Sequence, residues 1–262
     1  MLGNIISILF DAKNPSTQSN ERKFGGRSRN GNKIPFDYKI AHKEKDFRNL
    51  AVPHPKSQIE LISFYDEFKE LIIYYSKQSP YSIRKPDSVA RFIYSKDNIL
   101  KSNQGNDSGL IEEEYKEYKS LKTFFAYKKF SNIYKFYEHY DYHRVEKKYA
   151  KMFKFDISKC FDSIYTHSLA WALYNKDFAK QNLGGTRTFA DKFDVFMQNT
   201  NYGETNGIII GPEFSRIFAE LILQSIDKQV EQKLLEKKII HRVNYQIFRY
   251  VDDFFVFYND DK

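Results

Sequence analysis

Two adjacent carboxylates, Asp252 and Asp253, stand in Tyr250-Val-Asp-Asp253, inside an apolar run from 245 to 258. A third, Asp156, lies in Phe153-Lys-Phe-Asp-Ile-Ser-Lys-Cys-Phe-Asp162. An ionised carboxylate in an otherwise buried strand is costly unless it is paired or bound to a metal. Hard oxygen donors grouped in this way suit a divalent cation. Joining a nucleotide to a 3′-hydroxyl is one chemistry that needs them: one ion activates the attacking oxygen and a second neutralises the triphosphate and leaving group. Asp156 and Asp252 are the natural bridging pair, one from each of two neighbouring strands, and Asp253 supplies further negative charge. Asp162 falls past the end of the strand expected for Asp156, where a helix cap is the ordinary role of an aspartate.

Several elements must position these carboxylates. A strand is expected to carry Asp156, and a hairpin over 243–258 to carry the aspartate pair. Between them the pattern predicts helical segments around 167–174 and 189–197, then a glycine-marked loop over 201–211. A helix over 212–237 follows, with Pro212 in its first turn. Upstream, Ile59, Ile62, Phe64, Phe68, Leu71, Ile72 and Tyr75 approximate helical spacing and predict a helix over 59–76 with one buried face. Pro80 and Pro86 bracket a turn, residues 98–114 read as a polar loop, and 115–149, which interleaves aromatics with lysines, as a long helix. Those lysines and rings fit a track for single-stranded nucleic acid; they equally fit a helix that buries its rings and solvates its lysines. Residues 1–10 read as a short apolar helix or strand, and the basic, glycine-bearing stretch 11–33 as a mobile arm.

The 262 residues carry 42 Lys plus Arg against 34 Asp plus Glu, a net charge of +8. That excess attracts phosphate backbones regardless of sequence, although a solvated basic surface gives the same number. A hydrophobic content of 41%, with 24 Phe and 20 Tyr, suffices for a sizeable core in one large domain or two closely packed subdomains. The single cysteine, Cys160, excludes an intrachain disulfide framework and a cysteine zinc cluster, and suits a reducing cytoplasm. No apolar run approaches the ~20 residues needed to span a bilayer, and the N-terminus lacks the basic start of a secretion signal. A soluble, cytoplasmic protein with no membrane partner is expected.

Three separated motifs resemble those of the reverse transcriptases, in that family's order. Phe155-Asp-Ile-Ser-Lys-Cys-Phe-Asp-Ser-Ile164 is similar to motif A, Asn206-Gly-Ile-Ile-Ile-Gly-Pro-Glu-Phe-Ser-Arg-Ile-Phe-Ala-Glu-Leu221 to motif B, and Tyr250-Val-Asp-Asp253 to motif C. Phe47-Arg-Asn-Leu-Ala-Val-Pro-His-Pro55, Ser82-Ile-Arg-Lys-Pro86 and Ile164-Tyr-Thr-His-Ser168 resemble the bacterial defence-associated, abortive-infection branch. The resemblance covers roughly residues 45–258. It implies an α/β (α+β) right-hand polymerase with fingers and palm, the palm an antiparallel sheet with packed helices. It divides the chain into an N-terminal segment with a basic arm at 1–44, fingers at 45–150 and a palm carrying motifs A, B and C at 151–262. The sequence stops soon after Asp253, before the usual lysine-bearing segment, primer grip and thumb, so a missing thumb is expected.

Carried over residue by residue, the resemblance makes Asp156, Asp252 and Asp253 the catalytic, metal-binding triad for two Mg2+ ions, with Mn2+ as the alternative. Ile157 matches the position whose backbone carbonyl lies beside the metals and triphosphate. Phe161 matches the steric gate, where a bulky ring crowds a ribose 2′-hydroxyl; a plain core Phe is the other reading. Arg48 matches the fingers arginine that contacts the triphosphate as a planar bidentate donor, with a surface arginine as the competitor and Lys43 or Lys45 as helpers. Gly211 matches the motif B glycine, whose missing side chain lets the backbone approach nucleotide or template. Ser215, Arg216 and Glu220 read as structural, with Arg216 and Glu220 spaced to pair at i,i+4. His167 reads as a capping or buried hydrogen-bonded histidine and Cys160 as a packed thiol. Ile210 departs from the family, in which a polar residue, commonly Gln, precedes the motif B glycine, so unusual template reading is expected.

The implied activity is RNA-directed or unconventionally templated DNA synthesis from deoxynucleoside triphosphates, in antiphage defence. The implied partners are RNA or DNA, including a structured noncoding RNA, and a partner polymerase or a homo-oligomer. Two other readings stay open. One is a non-catalytic nucleic-acid-binding subunit, which the intact aspartates oppose. The other is an untemplated terminal transferase or palm-type nucleotide cyclase; Ile210 keeps terminal transfer open, whereas Phe161 and the basic fingers favour DNA synthesis over cyclisation.

Overall fold

Side chains on a β-strand alternate between two faces, so an apolar run without polar alternation must be covered on both sides. The computed structural model, which describes residues 33–43, 46–90, 123–127, 130, 132–174 and 188–259, shows the run 245–258 covered in that way. In chain order the elements are β1 (Phe36–Lys43), β2 (Asp46–Val52), α1 (Pro55–Tyr75), β3 (Pro86–Val89), β4 (Phe125–Tyr127), α2 (Ile133–Tyr137), α3 (Tyr140–Lys148), β5 (Lys151–Asp156), α4 (Cys160–Ser163), α5 (Ser168–Leu173), α6 (Phe189–Thr200), α7 (Glu213–Glu236), β6 (Tyr245–Tyr250) and β7 (Asp253–Tyr258). β5, β7 and β6 form an antiparallel sheet with β7 in the middle. Tyr245, Ile247, Phe254 and Val256 pack with Val230 and Leu234 of α7 on one face. Phe248, Phe255 and Phe257 pack with Phe136, Val145 and Tyr149 on the other. The largest cluster lies beside the sheet and joins α1, α4, α5, α6 and the first half of α7. Two further antiparallel pairs, the hairpin of β1 with β2 and the pair β3 with β4, complete the strands among the described residues. The fold is thus mixed helix and antiparallel sheet, as the sequence implies.

Four local expectations need correction. α1 buries Phe64, Tyr65, Phe68 and Ile72, but Ile59 and Ile62 are exposed at 67% and 61%. At 3.6 residues per turn, Ile59 lies half a turn from Phe68, so spacing alone marked a wider face than the core uses. The long helix expected over 115–149 is instead strand β4 and two short helices, where described. Glu138 and His139 interrupt the helical run, and His139 caps α3 by accepting from the Asp141 amide at 3.1 Å. Pro212 is the N-cap of α7 rather than a residue of its first turn. Asp162 sits in the first turn of α4, and the capping position belongs to Lys159, which is left-handed at φ 51°. The short segment at 1–10, the arm at 11–33 except Lys33, the polar loop at 98–114, the start of 115–149 and Lys45 lie outside the described residues. No helix among the described residues is long and apolar enough to cross a membrane.

Alternation also aims Arg249, two residues beyond Ile247, at α7. It is fully buried. Its Nε donates to both oxygens of Asp227 at 3.1 and 2.9 Å, Nη1 to Glu220 Oε2 at 2.8 Å, and Nη2 to Glu220 Oε1 at 3.2 Å. Nη2 also pairs with Asp227 Oδ2 at 2.8 Å. Glu220, spaced to pair with Arg216, has Arg249 as its partner. Burial opposes the Arg249 charge, but Asp227 and Glu220 outweigh it and hold the guanidinium above the usual arginine range. Burial pushes the Asp227 carboxyl up to about 6 against the pull of Arg249. Arg249→Met would leave two buried carboxylates without a counter-charge. Its expected cost is on the order of 3–5 kcal/mol, read from the urea midpoint; a loss below about 1 kcal/mol would mean that apolar packing replaces the ion pair.

Candidate active site

The β6–β7 connection has two residues, Val251 and Asp252, and Val251 takes φ 58°. Glycine is the usual occupant of a left-handed position in so tight a hairpin, and a β-branched residue there is an outlier. Such a conformation costs roughly 1–3 kcal/mol and persists only where its surroundings enforce it. Here Arg249 Nη1 donates to the Val251 carbonyl at 2.9 Å. On the far side, the Ile157 amide donates to the Asp252 carbonyl at 3.2 Å. The turn is therefore held from the α7 face and from the end of β5 together.

This geometry collects the aspartates at one end of the sheet. Asp156, the last residue of β5, is the cross-strand partner of Asp253, the first of β7, and Asp252 precedes it in the turn. Asp156 is exposed, and Asp252 and Asp253 are half-buried. Burial pushes the Asp252 carboxyl above the ordinary aspartate range; its own backbone amide and the Arg48 charge pull it down, while Asp253 and Asp156 push it up. The Arg48 charge, carried on β2, thus acts on Asp252 from another part of the fold. Lys154 Nζ lies 3.9 Å from Asp253 Oδ1, both partly exposed, a weak pairing. Among the described residues, no three Asp, Glu, His or Cys side chains already converge as a finished metal cage. The acidic set still suits a hard cation, because Asp253 and Asp156 raise the cost of charging Asp252 and a divalent ion removes that cost.

Other expected site residues occupy distinct places. Ile157 is half-buried, and its carbonyl accepts from the Cys160 amide at 3.1 Å. Gly211 has φ 126°, and a Cβ added there would stand 3.3 Å from the Ala51 carbonyl oxygen and 4.0 Å from Leu50 Cβ. Next to it, the Ala51 amide donates to the Ile210 carbonyl at 2.8 Å, so β2 is stitched to the loop before α7. Phe161 is 7% exposed and shares the main cluster with Ala51, Ile208 and Ile209; little of its ring reaches solvent. His167 stands at the N-cap position of α5 but makes no side-chain capping bond; instead its Nδ1 lies 2.5 Å from Asp194 Oδ2, and Gln198 Nε2 donates to Asp194 Oδ1 at 2.8 Å. Cys160 is buried.

Two supports of the turn went unread in the sequence. One is Arg249 with Glu220 and Asp227; the available signal was an arginine inside an apolar strand and polar residues at 220, 224 and 227 on an otherwise apolar helix face. The other is Arg84, whose Nη1 donates to the Tyr250 hydroxyl at 2.8 Å and whose guanidinium lies 5.3 Å from the Tyr250 ring and 5.6 Å from that of Tyr127. A small cavity beside the turn is lined by Arg84, Tyr127, Arg216, Glu220 and Val251 among others.

The family described as reverse transcriptase (RNA-dependent DNA polymerase) matches residues 112–262, more than half of the chain, and the chain belongs to that family. It is a nucleotidyltransferase, a DNA polymerase whose family works on nucleic acid and deoxynucleoside triphosphates with divalent metal ions. No curated protein matches the chain.

The position of Asp252 has a consequence for stability. Its folded pKa lies above the unfolded value, so its ionisation costs stability at pH above the folded pKa, and the cost vanishes below the unfolded one. Asp252→Asn should therefore melt higher than the parent at neutral pH without metal, with the difference shrinking as the pH falls into the carboxylate range. An equal or lower melting temperature at pH 7 would show that the turn does not bear this strain.

Proposed function

We propose that the chain adds deoxynucleotides to a 3′-hydroxyl or an equivalent primer by two-metal catalysis at Asp156, Asp252 and Asp253. The observation that carries this reading is the placement of those carboxylates at one end of the sheet, where Asp156 is the cross-strand partner of Asp253 and the Arg48 charge acts on Asp252. The three aspartates would hold the divalent ions, Mg2+ or Mn2+. When bound, such ions lower the pKa of an attacking hydroxyl and neutralise charge on a leaving pyrophosphate. Arg48 presents a planar fork of donors suited to a phosphate of the incoming nucleotide. The Ile157 backbone lines the approach to the carboxylates, and Gly211 lets the chain pass close to β2 with no side chain between. Phe161 serves as the gate, discriminating against a ribose 2′-hydroxyl. Residues 45–150 act as fingers and 151–262 as palm, with 1–44 an N-terminal segment. The resemblance of residues 47–55, 82–86 and 164–168 to the abortive-infection branch supports a setting in antiphage defence, with a structured RNA, a partner polymerase or further copies of the chain as associates.

Template use is the open axis of this reading. Ile210 places an apolar side chain where the family commonly has Gln, and its carbonyl is already bound by Ala51, which favours unconventional templating. The test is incorporation of each labelled deoxynucleotide, with magnesium and copurified nucleic acid, beside Asp252→Asn. The parent should make a product and the variant should fall to background; the product's sequence identifies or excludes a template. Equal incorporation by both would remove Asp252 from the metal site, and no product from the folded parent with nucleic acid supplied would favour a non-catalytic binding subunit.

A further inference from the structure

We infer that Arg249 is a positioning residue for the metal site: clamped by Glu220 and Asp227 of α7, it holds the Val251 carbonyl and so keeps Asp252 and Asp253 beside Asp156. This rests on the assignment of the three aspartates made above. A guanidinium has five N–H donors in a rigid fork, and four are hydrogen-bonded here. The Nε N–H goes to Asp227, one each from Nη1 and Nη2 to Glu220, and the second from Nη1 to Val251, while Nη2 also lies 2.8 Å from Asp227 Oδ2 as an ion pair. The two carboxylates fix the plane of the fork, and the plane fixes where the remaining donor points.

The carboxylates are themselves anchored. Gln224 Nε2 donates to Glu220 Oε1 at 2.7 Å, and Gln224 Oε1 accepts from the Ser79 amide at 2.5 Å. The Arg249 backbone is tied as well, its amide donating to the Tyr81 carbonyl at 2.8 Å and its carbonyl accepting from the Ile83 amide at 2.9 Å. A side chain locked at both ends has one product at the turn, a carbonyl oriented so that Val251 stays left-handed at φ 58°. Without that donor a β-branched residue would leave this region of backbone space, and the change would be passed directly to Asp252. Arg249 touches neither carboxylate of the pair, so its effect on chemistry is indirect.

Lysine cannot reproduce this, because it offers a point charge with three donors and no planar fork. Arg249→Lys should keep a cooperative thermal transition, since one positive charge still faces the buried carboxylates. Its affinity for Mn2+, titrated by electron paramagnetic resonance, and its kcat for deoxynucleotide incorporation should each fall about 10- to 100-fold, the range seen when a group orienting metal ligands is lost. KM for the nucleotide should stay within about twofold, because Arg48 is untouched. Adding Val251→Gly should restore most of the lost Mn2+ affinity, since glycine takes a positive φ without support. A residue that merely stabilised the fold would give no such rescue. If the lysine variant fails to fold, Glu220→Gln gives the same reading: it frees the outer fork while Asp227 still neutralises the charge.

Unchanged Mn2+ affinity and kcat in a folded Arg249→Lys or Glu220→Gln chain, with Asp252→Asn inactive, would overturn this inference alone. A reduced affinity that Val251→Gly leaves unrepaired would also overturn it. Incorporation that survives Asp252→Asn would instead overturn the aspartate assignment.

Discussion

One buried cation organises the acidic end of this molecule. Removing a guanidinium and two carboxylates from water is expensive, and the mutual attraction repays it only when every donor and acceptor is met. Arg249 meets that condition with hydrogen bonds from Nε, Nη1 and Nη2 and an ion pair to Asp227, and it lies three residues before Asp252 on the same hairpin. The ion pair therefore links a long helix packed on a sheet to the left-handed Val251 turn. An apolar residue at 249 could fill the same space, but it could not bond a carbonyl. Directional bonding to the turn is what distinguishes this arrangement from packing.

A second constraint sets what the aspartates face. The β1–β2 hairpin contributes few buried side chains and keeps its place through backbone contact: the Ala51 amide on the Ile210 carbonyl, and Gly211 close against the Ala51 carbonyl oxygen. Tyr202 adds a bond from its hydroxyl to Asp37 at 2.6 Å. These contacts hold Arg48 where its charge reaches Asp252. Burial, two like charges and one opposite charge then meet on a single carboxyl group. Perturbation by desolvation together with specific charge partners is characteristic of functional sites.

The strands of the site were legible because period-two arithmetic is strict. Asp156 at the end of an apolar run, and the Asp252–Asp253 pair between two such runs, could fall only at strand ends or turns. The helix over 213–236 and the loop before it were legible from proline and glycine for the same local reasons. What escaped was long-range. Ile59 and Ile62 looked like core because they are apolar at helical spacing, yet the partner surfaces cover only the stripe through Phe64 and Phe68. Residues 125–148 looked like one helix because short elements with aromatic residues pack equally well once a sheet face is present to receive them. The role of Arg249 escaped because its partners lie 22 and 29 positions away, on an element whose facing surface no local pattern reveals.

The most direct test is a structure of the chain with magnesium and a non-hydrolysable deoxynucleoside triphosphate. Density for ions held between Asp156 and Asp252, the triphosphate on Arg48 and Val251 still at positive φ is the expected result. Ions bound elsewhere, or a triphosphate remote from Arg48 with the turn relaxed to negative φ, would contradict it.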